Sequence, residues 1–300
     1  MSTEFSIIIP AFNEEDVIEK FLGNLRRVLL TFPGIYEIIL VDDGSRDRTF
    51  SIVSKIPDIK IIRHPYNKGN GAAVKTGIIE AKGEKLVIID ADGQHDPQNI
   101  LEMLRLLDDY DLVVGARGSF GVGKRGLGNI VVSKLAGYLS GITIPDLTSG
   151  FRAFKKDKML EFIDLLPNGY SLPSTSTLAF ATSGYNVNFI PITVHERQGG
   201  KSNIHIFKDG MKFLVLIFRM ISLFKPLKIF TPVSIFLLLL GSLWSLRGYY
   251  LTKTISSLGT MILLSGIFTF LFGLMVDQIA QTRLTLGKLI KFQIKKNEKV

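Results

Sequence analysis

Residues 87–97 read VIIDADGQHDP, and this stretch decides which fold we expect. It begins with three apolar residues, as a buried strand does, and then places three aspartates and a histidine within seven positions. Asp90 and Asp92 are two residues apart, so their side chains point the same way in an extended segment, and Gln94 can join them. Oxygen ligands of this kind suit a hard divalent cation, Mg²⁺ or Mn²⁺. The pattern predicts a rigid strand with a metal site at its end.

Simpler explanations exist for parts of the same stretch. Acid pairs are common at turns and helix ends, so two aspartates alone are weak evidence for a metal. Asp96 before Pro97 is typical of a helix cap with proline in the first turn. A lone histidine is more often a hydrogen-bonded loop residue than a ligand, and the role of His95 stays open.

The surrounding chain alternates between short β-rich runs and segments with helical spacing. The runs before residue 118 are FSIIIP, YEIILVDD, IKIIRH, EKLVIID and DLVVGAR. This alternation predicts an α/β fold whose mostly parallel sheet is covered by helices on both faces. Ligands of such sheets lie outside the carboxyl ends of the strands. Polar residues cluster at those ends, namely Asn13, Glu14, Asp42, Asp43, Asp90, Asp92 and Arg117.

Residues 118–205 have a looser pattern. The segment GSFGVGKRGLG (118–128) is glycine-rich and basic, and it is read equally well as a mobile loop or as a plain surface connector. The segment YNVNFIPITVHERQGGKSN (185–203) predicts a strand followed by a charged loop.

The last hundred residues change character. Residues 206–228 combine lysines and an arginine with large apolar residues, as a helix at a membrane surface does. Residues 229–246 and 255–276 carry no charge, and each is long enough to cross about 30 Å of hydrocarbon. We therefore expect a two-helix transmembrane hairpin over 229–276, followed by a basic tail over 277–300.

The distribution of basic residues predicts how the chain is oriented. Basic residues flank the hairpin on both sides, whereas only Arg247 and Lys253 lie in its connecting loop. By the positive-inside rule, residues 1–205 and both termini face the cytoplasm, so the protein is a multi-pass protein of the cell membrane. Attraction to anionic lipid headgroups accounts for much of the net charge of +9, and no nucleic-acid-binding module is recognisable.

Seven motifs together resemble a known family. They are IIIPAFNEE, VDDGSRDRT, NKGNGAAVKTG, DADGQHDP, VVGAR, DLTSGFRAF and ER…GKSN, in this order. Over about residues 5–205 the chain resembles the inverting family 2 glycosyltransferases, which have the A-type nucleotide-sugar-binding fold. More narrowly, it is similar to the dolichol-phosphate mannose and glucose synthase group. A C-terminal hairpin fits the members that carry their own membrane anchor.

The resemblance implies a role for each motif residue. Those expected at the nucleotide are Pro10, Phe12, Glu14, Asp42, Asp43, Asp90 and Ala91. Asp90, Asp92 and Gln94 would hold the metal and diphosphate. Arg117, Arg152, Arg197 and Lys201 would serve the phosphates, and the catalytic set would be Asp92, Arg117, Arg152 and Arg197. As an alternative to nucleoside binding, an aspartate can cap the helix after VDDGSRDRT, a role that fits Asp47 and Ser45 better than Asp42.

The implied reaction moves mannose or glucose from GDP-mannose or UDP-glucose to a polyprenyl or dolichyl phosphate. A phosphate monoester has a second pKa of about 6, so it is already largely ionised near neutral pH and needs no strong base. This agrees with the scattered positions of the four histidines. Single displacement at the anomeric carbon predicts inversion. Membrane lipids are further expected partners, and a homo-oligomer is an open alternative.

Other functions fit the sequence less well. A processive polysaccharide synthase is disfavoured because Q-x-x-R-W is absent and the sole tryptophan, Trp244, lies in a predicted span. Another lipid acceptor, such as a diacylglycerol, and a catalytically inactive membrane scaffold remain alternatives. Two departures from the family pattern are Asn203, where many relatives have a second lysine, and Phe12, where tyrosine is frequent.

Overall fold

The computed structural model describes residues 3–32, 34–117, 126–194 and 225–297. Several sequence predictions fall outside these ranges. They concern most of the glycine-rich segment 118–128, most of the amphipathic segment 206–228, and the residues Arg197, Lys201 and Asn203. The part of the chain that is described divides into two compact units, one with the β-sheet and one with the C-terminal hairpin.

A seven-stranded sheet forms the centre of the first unit. Its strands are β1 (Phe5–Ala11), β2 (Tyr36–Asp42), β3 (Lys60–Arg63), β4 (Lys85–Ile88), β5 (Leu112–Arg117), β6 (Arg152–Lys155) and β7 (Val187–Ile192). The strand order is β3-β2-β1-β4-β6-β5-β7. Only β6 runs antiparallel to its neighbours, β4 and β5. The predicted mostly parallel sheet is therefore confirmed, with one antiparallel strand that was not anticipated.

Helices connect most of these strands. Those of the first unit are α1 (Ile18–Leu29), α2 (Thr49–Val53), α3 (Asn70–Glu80), α4 (Asn99–Leu106), α5 (Gly126–Ser140), α6 (Lys156–Leu160) and α7 (Leu172–Thr182). In α1, the buried residues Ile18, Phe21, Leu22, Leu25 and Leu29 recur every three or four positions, which gives the helix one apolar face. All seven residues of β1 are buried, as expected for a strand covered on both sides.

Strand register brings the polar strand ends together. Ala11 at the end of β1 pairs with Asp42 at the end of β2, and Ile8 of β1 pairs with Ile88 of β4. Because these strands run parallel, the residues that follow β1, β2 and β4 emerge at one edge of the sheet. The site is therefore assembled from segments that are tens of residues apart in the chain.

The second unit contains two long apolar helices, α8 (Leu227–Thr252) and α9 (Ser257–Asn297). Within them, Leu227–Leu251 and Ser257–Arg283 are long and apolar enough to cross a membrane, and few of their side chains are buried. The Ser234 hydroxyl donates a hydrogen bond to the Gly266 carbonyl oxygen at 2.8 Å. These helices match the predicted hairpin and indicate membrane association. The α9 helix also continues through most of the predicted basic tail.

Candidate active site

A cavity of about 600 Å³ lies at the carboxyl ends of the parallel strands. The ends of β1 and β5 contribute Pro10 and Arg117, and the segment after β4 contributes the acidic turn. Its wall also includes residues before β6 and at the start of α7. This is the position that the sheet topology predicts for a ligand.

The Asp90 carboxylate is held close to the backbone of a distant loop. A Cβ atom at Gly150 would lie only 2.5 Å from Asp90 Oδ2, so glycine is needed for this approach. Among the described residues, its one hydrogen bond comes from Asn70 Nδ2 at 3.5 Å. Burial raises the pKa of Asp90, although nearby His95 opposes the shift. A cation at this carboxylate would offset its desolvation.

Asp92 lines the cavity two residues further on, and its Oδ1 accepts a hydrogen bond from the Gln94 backbone N–H at 3.1 Å. Gln94 itself is not in the cavity wall. His95 is buried beside Phe151, with ring centroids 5.3 Å apart, and burial lowers its pKa. The Asp96 carboxylate accepts the Gln98 N–H at 3.0 Å in the turn before α4, whereas the N-cap of α4 is Gln98, which makes no side-chain capping bond.

Arg117 projects from the end of β5 and is fixed by a buried carboxylate. Its Nε and Nη2 atoms lie 2.7 and 2.9 Å from the two oxygens of Asp146, and Nη2 also donates to Thr148 at 2.6 Å. Although burial disfavours the charged form of Asp146, the hydrogen bonds from Arg117 hold the pKa of this carboxyl below its usual value. The hydrogen bond to Asp146 raises the pKa of Arg117 in turn. The guanidinium therefore stays charged and has one orientation in the cavity wall.

Arg152 lines the cavity, although its side chain is fully buried from solvent. Its guanidinium donates to the Ser149 and Pro173 carbonyl oxygens and to the Ser176 and Thr177 hydroxyls. Burial lowers the pKa of Arg152 to about 10, so the side chain remains a cation near neutral pH. It contributes positive charge to the site while its hydrogen bonds tie β6 to α7.

The two aspartates after β2 have different surroundings. Asp42 is fully buried, where it accepts the Ser45 N–H at 3.0 Å and contacts Arg63 Nε at 3.0 Å. It does not line the cavity, so its predicted contact with a nucleoside has no support in this geometry. Asp43 does line the cavity. Asp47 accepts the Thr49 N–H at 2.9 Å at the start of α2, although the N-cap position itself is Arg48.

The structure brings most of the predicted site residues into one wall. Those that line the cavity are Pro10, Phe12, Glu14, Asp43, Asp90, Ala91, Asp92, Arg117 and Arg152. Asp42 and Gln94 lie outside the wall, and Arg197 and Lys201 lie outside the described residues. The functional role of each residue stays a prediction.

Sequence reasoning missed several neighbours of these residues. Asp146, Thr148 and Gly150 lie in the motif DLTSGFRAF, of which only Arg152 had been assigned a role. Asn70 lies in NKGNGAAVKTG, a motif in which no side chain was assigned a role. Tyr170 lines the cavity and is 91% exposed, yet nothing in the local sequence marks it.

The side chains at the acidic turn are of the chemical type that binds a divalent metal ion. Asp90 and Asp92 are hard oxygen donors in one wall, and the Asp90 carboxylate is buried with a single long hydrogen bond among the described residues. The described residues contain no group of three or more histidine, aspartate or glutamate side chains arranged to hold a metal by themselves. Mg²⁺ commonly binds through one or two carboxylates, with water and substrate phosphates completing its shell.

Comparison with known families decides the classification. Residues 6–161 match the family described as Glycosyl transferase family 2. The chain belongs to this family. Residues 225–282 match a second description, the GtrB C-terminal hairpin, which covers α8 and the first part of α9. The protein is therefore a family 2 glycosyltransferase with a C-terminal hairpin, as its motifs predicted.

Two named relatives of this family 2 glycosyltransferase cover much of the chain. The polyprenol monophosphomannose synthase of Mycolicibacterium smegmatis is 33% identical over 66% of this chain and 80% of its own length. The dodecaprenyl-phosphate galacturonate synthase of Rhizobium johnstonii is 26% identical over 94% of this chain and 89% of its own length. The second alignment therefore extends into the hairpin.

A solved structure supports the fold of the family 2 domain. Glucosyl-3-phosphoglycerate synthase from Mycobacterium tuberculosis, crystallised with Mn²⁺, UDP and phosphoglyceric acid, aligns with a TM-score of 0.57 and 19% identity. The alignment covers 73% of this chain and 78% of that chain. It confirms the predicted A-type glycosyltransferase fold.

Proposed function

We propose that this family 2 glycosyltransferase moves a hexose from a nucleotide diphosphate sugar to a polyprenyl phosphate at a membrane. The observation that carries the proposal is that Asp90, Asp92 and Arg117 share one cavity wall in a chain that also has an apolar hairpin. Opposite charges in one cavity suit a substrate pair that contains both a metal-bound diphosphate and a free phosphate. The names of the relatives from M. smegmatis and R. johnstonii support a polyprenyl phosphate as the acceptor.

The composition of the cavity wall supports a phosphate nucleophile. Among the described residues, the side chains of the wall that could act as a base are the carboxylates Glu14, Asp43, Asp90 and Asp92, of which Asp90 and Asp92 are assigned to the metal. A hydroxyl acceptor such as a diacylglycerol would need a base to remove its proton. A phosphate monoester is already largely ionised near neutral pH, with a second pKa of about 6. A phosphate acceptor is therefore favoured, because it does not require a side chain of this wall to remove a proton.

The nucleotide half of the donor is assigned to the β1 side of the cavity. Pro10 and Phe12 lie there, and Phe12 is 38% exposed, so its ring is available to stack on a base. Phe12 lacks the hydroxyl of a tyrosine and therefore adds no hydrogen bond to base recognition. We propose mannose or glucose as the sugar, carried by GDP or UDP respectively.

The diphosphate half is assigned to the acidic turn. Asp90 and Asp92 would hold Mg²⁺ or Mn²⁺, and such a cation supplies charge neutralisation to the departing nucleotide diphosphate. Arg117, oriented by Asp146, is placed to bind phosphate oxygens with its remaining donors. Buried Arg152 adds positive potential behind them without leaving its hydrogen bonds.

The proposed bond changes are a single displacement. An oxygen of the acceptor phosphate attacks the anomeric carbon of the sugar, and the bond from that carbon to the diphosphate oxygen breaks. The electron pair leaves with the nucleotide diphosphate, and no proton must be removed from the nucleophile. Attack opposite the leaving group inverts the anomeric configuration, so a product that retains the donor's configuration would contradict this mechanism.

The membrane arrangement completes the proposal. The hairpin of α8 and α9 would anchor the chain in the cell membrane, and the excess of basic residues outside the connecting loop favours a cytoplasmic catalytic domain. A cytoplasmic location gives the enzyme access to soluble nucleotide sugars.

One experiment tests donor, acceptor and metal together. Membranes containing the protein are incubated with a panel of radiolabelled nucleotide sugars and a polyprenyl phosphate, with and without a chelator. We expect a mild-acid-labile labelled lipid that is lost when the chelator is present. Parallel reactions receive a polyprenol without phosphate or a diacylglycerol. Label in either control lipid, or in no lipid with any donor, would overturn the proposed acceptor.

A further inference from the structure

His64 lies buried outside the cavity wall and contacts two side chains. It follows β3 and is 5% exposed. Its Nδ1 lies 2.6 Å from Asp43 Oδ1, and its Nε2 lies 3.0 Å from Thr76 Oγ1 in α3. The ring therefore bridges the end of β2 to the middle of α3, and both of its nitrogens have partners.

The Asp43 carboxylate is occupied by the protein itself. Besides His64, its Oδ1 accepts the Lys68 N–H at 2.9 Å, and its Oδ2 accepts the Gly69 N–H at 2.8 Å. These bonds hold the loop that leads into α3. With both oxygens engaged, Asp43 shapes the cavity through the loop more than through its own carboxylate.

The same loop forms part of the cavity wall. Asn67, Gly69 and Asn70 all line the cavity, and Asn70 donates the hydrogen bond to Asp90 at 3.5 Å. Gly69 has a positive φ of 102°, and a Cβ there would lie 2.4 Å from the Asn168 carbonyl oxygen. The loop can therefore occupy this position only with glycine, and Asp43 supplies the bonds that keep it there.

From these contacts we infer that His64 is a positioning residue for the donor site. It holds Asp43, Asp43 holds the backbone of residues 68 and 69, and this backbone places Asn70 beside Asp90. His64 itself touches no substrate. The inference rests on the proposed function in that the cavity must bind a nucleotide diphosphate sugar.

The test compares variants of the full chain purified in detergent. His64→Leu removes both contacts, whereas His64→Asn retains an N–H donor near the Asp43 carboxylate. Glu80→Gln is the matched control, because Glu80 pairs with Lys60 at 2.8 Å and joins the same β3 and α3 elements away from Asp43. UDP and GDP binding in the presence of Mn²⁺ is measured by calorimetry, and steady-state kinetics are measured for both substrates.

We expect His64→Leu to weaken nucleotide binding and to raise the KM for the nucleotide sugar about tenfold, as loss of one charge-assisted hydrogen bond would. The kcat and the KM for the polyprenyl phosphate should change little. His64→Asn should recover most of the affinity, and Glu80→Gln should match the wild type. A general loss of folding would instead lower activity toward both substrates and would not be rescued by asparagine.

Three outcomes would overturn the inference. The first is unchanged nucleotide binding by folded His64→Leu, and the second is an equal loss in Glu80→Gln. If His64→Leu does not fold, Thr76→Val decides, because it removes only the second contact of the ring. In that case, unchanged nucleotide affinity in Thr76→Val is the third outcome that would overturn the inference. A wild-type protein that binds neither nucleotide would refute the proposed function itself, which separates the two failures.

Discussion

Asp146 holds Arg117 through two parallel hydrogen bonds, with Nε–Oδ2 and Nη2–Oδ1 distances of 2.7 and 2.9 Å. The carboxylate is almost fully buried, whereas the arginine side chain is 40% exposed and lines the cavity. A planar guanidinium held in this way loses most of its rotamer freedom before any substrate arrives. Arg117 is therefore pre-oriented in the cavity wall, and under the proposed function Asp146 would support phosphate binding by holding it there.

The first prediction concerns this pair. Asp146→Asn removes the charge and one acceptor from Arg117, so the guanidinium loses its orientation. We expect kcat/KM to fall about a hundredfold, the size of effect that misplacing a catalytic group can cause. Thr148→Val, which removes only the hydroxyl contact, should have a smaller effect in the same direction. Steady-state kinetics measure both, and wild-type activity in Asp146→Asn would rule out this role.

A second prediction concerns the pH dependence of stability. The pKa of Asp146 is lowered in the folded protein, so its ionised form stabilises the fold above its ordinary pKa of about 3.9. This contribution is lost as the pH falls through the lower folded-state value. Asp146→Asn should therefore cost about 1.5–3 kcal/mol near neutral pH and progressively less in acid. Denaturant unfolding of both proteins across acidic pH measures the difference, and a constant difference would contradict the assignment.

A third prediction follows from the contact between Gly150 and Asp90. In Gly150→Ala the new Cβ would lie 2.5 Å from Asp90 Oδ2, so the carboxylate must move. We expect weaker Mn²⁺ binding and lower kcat. Gly169→Ala is the matched control, because no atom lies within 4 Å of a Cβ at that loop position. Mn²⁺ titration followed by electron paramagnetic resonance measures the first effect, and equal behaviour of the two variants would count against the contact.

A fourth prediction addresses the metal. Asp92→Ala removes a carboxylate whose hydrogen bond within the described chain is to the Gln94 backbone, so the fold and the hairpin should persist. Activity and Mn²⁺ affinity should both be lost. Asp96→Ala offers a comparison, since that carboxylate accepts the Gln98 N–H in the turn before α4 and is expected to affect stability more than metal binding. Near wild-type turnover of Asp92→Ala with metal present would remove Asp92 from the site.

A fifth prediction tests helix packing in the hairpin. A Cβ at Gly259 would lie only 2.2 Å from the Ser245 hydroxyl oxygen, so α8 and α9 approach closely there. Gly259→Leu should force the helices apart at a cost of about 1–3 kcal/mol, as overpacking does. Ser265→Leu, on an exposed face of α9, should be tolerated. Thermal unfolding in detergent compares them, and equal stability would mean that the helices do not pack as described.

Local sequence predicted the strand ends well and the contacts between them poorly. The turn at Asp90 follows a short apolar run, and its position after β4 could be read directly from the chain. The contact of Asp90 with Gly150 could not, because 60 residues separate the two and no local pattern shows that they meet. The strand β6 was missed for a related reason. Its four residues, RAFK, include no β-branched side chain, unlike the equally short strands β3 and β4, and its place is decided by pairing with β4 and β5.

Burial separates two adjacent aspartates that the sequence treats alike. Asp42 is the last residue of β2, where Arg63 and the Ser45 N–H enclose its carboxylate. Asp43 is one residue further and reaches the cavity wall. Successive side chains of a strand point to opposite faces, so their directions could be anticipated. Which direction leads to the cavity depends on the elements that cover each face.

The sequence by itself determined the class of the fold, the positions of the acidic turn and of Arg117 at strand ends, and the apolar hairpin. These features follow from periodicity and composition, which act over a few residues and leave a local signature. Only the tertiary structure decided that Asp146 orients Arg117, that Gly150 meets Asp90, and that His64 supports Asp43. Those contacts join distant segments, and their energies depend on burial and on distances that arise only when the sheet has formed.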